Sequence, residues 1–146
     1  MADIPEEHST EELLDRLLAS ASIEQYLDEG LVSARTLTDY LFDRMEAHDL
    51  RRADVVRASG LNATVVYDIF SGKSRPGRDH AIMLAFGLKC TLRETQRLLR
   101  LAGVSELWCK QRRDAIIIWC IRNGFDRIAT DDELYRMGEA TLLPAD

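Results

Sequence analysis

The chain has 146 residues, 46% hydrophobic and 30% charged, so one globular domain with extensions is expected rather than a disordered, fibrous or disulfide-stapled chain. Its longest apolar run, residues 115–121, falls far short of the roughly 20 residues of a membrane-spanning helix. The net charge of −6 argues against nucleic acid until it is mapped: residues 1–49 carry −10, residues 50–113 carry +8 and residues 114–146 carry −4. A basic middle between acidic ends points either to a polyanion partner for the middle or to neutralisation across the folded surface.

In chain order every segment reads as helix. The periodicity predicts helices near 10–20, 22–29, 34–48, 51–59, 62–71, 78–88, 91–102, 109–123 and 130–138. Hydroxyl residues followed three positions later by Glu or Gln mark starts at Ser9…Glu12, Ser22…Gln25, Thr91…Glu94 and Thr130…Glu133. Gly30, Gly60, Gly72, Gly103 and Gly124 stand where these helices should stop. No alternating strand pattern or Asn-Gly or Asp-Gly hairpin is present, so the expected class is all-α. The N-terminus shows neither the basic start nor the apolar stretch of a signal peptide, and a cytoplasmic protein is expected. Cys90, Cys109 and Cys120 are odd in number and lack metal-ligand spacing, which fits a reducing compartment and reads as three small buried hydrophobes.

Residues 1–30 read as two short acidic amphipathic helices, with Leu13, Leu14, Leu17 and Leu18 as the stripe of the first. Three uses are open to them: packing on the body, binding a protein partner, or covering the basic face as a DNA mimic.

The informative stretch runs from Leu50 to Thr91. A short helix ending at Gly60, a three-residue turn Gly60-Leu61-Asn62 and a second helix form a tight helical pair. From Leu61, the apolar residues Val65, Val66, Ile69 and Phe70 follow at offsets that share one helical stripe, predicted to be buried. The opposite face is left with Asn62, Ala63, Thr64, Tyr67, Asp68 and Ser71. A slim polar helix flanked by arginines and lysine suits the DNA major groove, which is about 12 Å wide.

These residues resemble the Cro/C1-type (XRE-family) helix-turn-helix domain across roughly residues 35–103. Gly60-Leu61-Asn62 matches the turn, and Val66 and Ile69 the buried recognition-helix positions. Gly72-Lys73-Ser74-Arg75-Pro76 matches the loop, Ile82, Leu84, Ala85, Gly87 and Leu88 the following helix, and Thr91-Leu92-Arg93-Glu94 the cap of the fifth. The resemblance implies a five-helix lambda repressor-like domain over residues 34–104, with helical extensions over 1–33 and 105–146. It implies a DNA-binding transcription regulator with residues 62–71 in the major groove. Asn62, Ala63, Thr64 and Tyr67 would then read bases. Arg51, Arg52, Lys73, Ser74 and Arg75 would contact phosphates, and Arg78 would extend that stripe. Asp68 departs from the family pattern, and either accepts from a cytosine amine or marks a helix that does not read DNA. Phe70 for the usual Glu and Val56 for a small Ala imply altered packing between the two motif helices.

Catalytic constellations are absent from the sequence. His8, His48 and His80 are scattered, and there is no glycine-rich phosphate loop and no nucleophile elbow. The expectation is a non-catalytic protein with no metal and no cofactor. Its expected partner is double-stranded DNA, bound as a homodimer, with no membrane contact. The other reading is a protein-interaction adaptor that keeps the fold without reading DNA and binds through its acidic N-terminal helices or its C-terminal extension. The apolar run 115–121 predicts a helix buried on several sides, as the core of a C-terminal subdomain or as a dimer contact. Leu134, Tyr135 and Met137 are natural partners for Trp119 in the core version.

Overall fold

A computed structural model describes residues 10–28 and 36–144. Among the described residues there are nine helices and no strand. They are α1 (Thr10–Ala19), α2 (Ile23–Asp28), α3 (Leu37–Ala47), α4 (Arg52–Ser59), α5 (Ala63–Phe70), α6 (Arg78–Gly87), α7 (Leu92–Leu101), α8 (Arg112–Arg122) and α9 (Arg127–Arg136). No helix among these residues is long and apolar enough to cross a membrane. The chain divides into two units, Met1–Arg35 and Thr36–Asp146.

In the first unit Ser22 accepts from the Gln25 N–H, while the Gln25 side chain returns to the Ala21 N–H rather than to Ser22 itself. The Ser9…Glu12 start and the Gly30 stop lie outside the described residues. Leu14, Leu17 and Leu18 are exposed, Leu18 by 74%, as are Ile23 and Leu27 of α2.

The second unit is built around α6. Ala81 to Ala85 are buried without a break, and α6 packs against α4, α7 and α9. This is the helix buried on several sides, in place of the predicted 115–121 run. In α8, Ile117 and Cys120 are buried, but Trp119 is 54% exposed and meets Phe125 edge-on at 5.3 Å. Tyr135 is 75% exposed, so of the partners expected for Trp119 only Leu134 is fully buried. The reason is placement. The buried stripe of α8 turns toward α7 and α9, and Trp119 falls on the opposite side. Gly87 permits the close approach of α4 and α6, because a Cβ there would come within 2.9 Å of the Ser59 Cβ and the Val55 carbonyl.

Two helix starts differ from the sequence pattern. Thr36 and Asp39 form a capping box for α3 that the pattern missed. Asp126 caps α9 by accepting from the Ala129 N–H, which puts Thr130 inside the helix, where its hydroxyl donates to the Asp126 carbonyl. Thr91 and Glu94 form the predicted box at α7. Of the cysteines only Cys120 is buried; Cys90 is partly buried and Cys109 is exposed, because it lies in the turn before α8. Burial pushes the Cys90 thiol up to about 12, so it is inert at neutral pH.

Residues 105–143 are tied down by polar side chains. Gln96 clamps the Leu107 backbone from both sides, donating to its carbonyl at 2.8 Å and accepting its N–H at 2.7 Å. Buried Asp131 accepts the N–H groups of Leu142 and Leu143 at 2.6 and 3.2 Å and pairs with Arg127 at 2.7 Å. Arg113 grips Asp79 of α6 with two bonds and donates to the carbonyls of Ala140 and Thr141.

Candidate functional site

The surface singled out by the sequence is built by α4, α5 and the loop after them. Helix α4 starts where the Asp54 carboxylate accepts the Arg51 N–H at 2.9 Å. That bond is the main reason the Asp54 carboxyl lies below its ordinary value, with the Arg51 and Arg57 guanidiniums adding to it. Val55 anchors the helix in the core. At its end Ser59, wholly buried, donates to the Val56 carbonyl and accepts the Leu61 N–H, closing the turn from inside. Gly60 takes φ +79°, which favours glycine, and a Cβ there would come within 2.7 Å of the Arg127 guanidinium of α9.

Asn62 caps α5 by accepting the Thr64 N–H at 2.8 Å, which leaves its amide nitrogen free to donate. Leu61, Val66, Ile69 and Phe70 are buried and Val65 is half-buried, as the stripe requires. Phe70 stands edge-on to Phe42 of α3 at 5.2 Å. The change expected between the two motif helices is therefore a contact with a third one. Asn62, Ala63, Thr64 and Tyr67 are exposed along one face of α5, and Asp68 beside them is half-buried.

The loop is shaped by one carbonyl. Asp68 accepts the N–H groups of Lys73 and Ser74 at 2.8 and 3.2 Å and the Ser71 hydroxyl at 3.1 Å. Lys73, Ser74 and Arg75 are exposed, Pro76 is buried, and the Arg75 guanidinium rests beside Gly103 at the end of α7. Among the described residues Arg52, Lys73 and Arg75 have no carboxylate partner, and Arg51 lies 3.9 Å from Asp54 with its side chain 90% exposed. Arg52 instead lies over the Tyr67 ring, its guanidinium carbon 5.1 Å from the ring centre.

Arg78 does not join this surface. Its guanidinium holds buried Asp114 at 3.0 and 2.6 Å and donates to the carbonyls of Ser105 and Glu106, so it ties α6 to the start of α8. The Asp114 carboxylate also accepts the Trp108 N–H. A partner 36 residues away leaves no local trace, and the same holds for Arg127 against Gly60.

No protein-family model, curated protein or solved structure matches this chain.

Proposed function

We propose that this chain is a cytoplasmic DNA-binding transcription regulator. In this reading α3 to α7 form a Cro/C1-like helix-turn-helix domain, and α5 enters the major groove. One observation carries the proposal: a slim polar helix face, Asn62, Ala63, Thr64 and Tyr67, is bordered by Arg51, Arg52, Lys73 and Arg75, which are exposed and, Arg51 apart, have no carboxylate partner among the described residues. Exposed cations of this kind suit phosphate neutralisation, and the amide of Asn62 and the hydroxyl of Thr64 suit base edges. One such helix covers only a few base pairs, so two copies on half-sites about 34 Å apart are part of the proposal. The exposed Trp119 marks the candidate contact between copies.

The test is a gel shift with mixed genomic DNA at low and then at physiological salt. Binding that weakens as salt rises is expected, since neutralised phosphates release counterions. The triple variant Arg51→Ala, Lys73→Ala, Arg75→Ala should weaken binding to all duplexes and flatten the salt dependence by roughly one unit per cation. Unchanged affinity in that variant overturns the docking face. A folded wild type that shifts no duplex at low salt leaves the adaptor reading in its place.

A further inference from the structure

Arg52 differs from every other cation at this surface. Arg51, Lys73 and Arg75 reach solvent with no ring contact among the described residues, whereas the Arg52 guanidinium is laid on Tyr67. The contact crosses the turn, from the first residue of α4 to the second turn of α5. Tyr67 follows Ala63 by four residues and Thr64 by three, so its ring shares their face of the helix. Arg52 is thereby held beside the α5 face that carries Ala63, Thr64 and Tyr67.

A phosphate asks only for a nearby positive charge, which a mobile side chain supplies. A guanine edge asks for more: two parallel N–H donors in one plane, matched to O6 and N7. An aromatic ring beside a guanidinium restricts its rotamer freedom before binding, which is where a two-bond contact gains most. We infer that Arg52 reads a guanine in the major groove, with Tyr67 as its positioning residue. This chain therefore prefers duplexes carrying a G·C pair at one fixed position of the half-site. The inference rests on the DNA-binding reading above and replaces the phosphate role that the sequence assigns to Arg52.

The experiment selects binding sites from a randomised duplex with the wild type. It then measures wild type, Arg52→Lys, Arg52→Ala and Tyr67→Leu on the selected site and on every single-pair change of it, at two salt concentrations. Circular dichroism checks that each variant keeps its helix content. The expected result is one G·C pair whose replacement costs the wild type about 10- to 100-fold. All three variants lose that preference, including Arg52→Lys, which keeps the charge but not the plane. If Arg52→Lys binds every duplex as the wild type does, or if Arg52→Ala loses affinity uniformly with a salt slope lower by about one unit, Arg52 is a phosphate contact and the inference falls. Retained guanine preference in Tyr67→Leu removes the positioning role and overturns the inference as stated. Wild-type binding with no G·C dependence overturns this inference alone, whereas a wild type that binds no duplex overturns the DNA reading with it.

Discussion

Arg52 and Arg75 at the α4–α5 surface and five arginines of α6, α8 and α9 share a chemistry and meet opposite fates. Beyond the loop, Arg78, Arg112, Arg113, Arg127 and Arg136 each face a carboxylate of the same unit. Between residues 52 and 75, Arg52, Lys73 and Arg75 face none among the described residues. The +8 of residues 50–113 therefore overstates what a polyanion would meet, because Arg78 and Arg112 are paired with Asp114 and Glu139 outside that segment. The charge of a segment says how many cations it holds. Which of them are available is decided by partners that lie far off in sequence.

The contrast breaks most visibly at Arg78. Arg78→Ala strands Asp114, which is only 4% exposed, and should cost about 3 to 5 kcal/mol in urea unfolding. A loss under about 0.5 kcal/mol would return Arg78 to the group of available cations. Next comes α8, where Ile117→Ala should cost about 2 to 5 kcal/mol and Trp119→Ala less than about 1 kcal/mol, since Trp119 is half in solvent. If Trp119→Ala instead abolishes a dependence of the melting temperature on protein concentration, that side chain lies between copies.

A smaller effect separates pairs by pH. Burial raises the Glu94 carboxyl, but the Thr91 N–H, the Arg44 guanidinium and His48 outweigh it, and the group sits below its ordinary 4.5. A carboxyl lowered in the folded state stabilises above its unfolded value, and that contribution drains away as the pH falls below 4.5. Glu94→Gln should therefore lower stability at neutral pH and flatten the acid limb of the stability curve; an acid limb as steep as that of the wild type would place the loss elsewhere. Smallest of all, Lys73→Ala and Arg75→Ala should leave stability within about 0.5 kcal/mol while lowering affinity for DNA. A larger loss of stability in either would mean that it too has an internal partner.

Much of this architecture was legible because its signals are local. The five apolar residues from Leu61 to Phe70 face inward, and Gly60, Gly72, Gly103 and Gly124 take positive φ at helix ends. The two helix ends that use Asp49 and Lys89 in the same conformation carry no glycine to announce them. Thr130 satisfied the capping pattern, yet Asp126 four residues earlier takes the role, since either side chain can cap and only the packed register chooses. Of the two readings of the 115–121 run, the core one does not hold for Trp119, because an all-apolar run shows no stripe and its exposed side cannot be read from spacing. Within the site, exposure along α5 followed from periodicity. The contact of Arg52 with the Tyr67 ring and the capture of Arg78 by Asp114 depend on how separate helices meet, which no window of sequence contains.

Gly60 has one more consequence. The turn before α5 lies beside the Arg127 guanidinium, Arg127 is held by Asp131, and Asp131 holds the backbone of Leu142 and Leu143. The α4–α5 pair is thus no portable cassette. A fragment ending near residue 104 would keep every residue of the α4–α5 surface and lose the Arg127 side chain beside its turn, along with the α9 cover of α6. Grafting this pair onto another scaffold would require a stand-in for a side chain that comes 67 positions later.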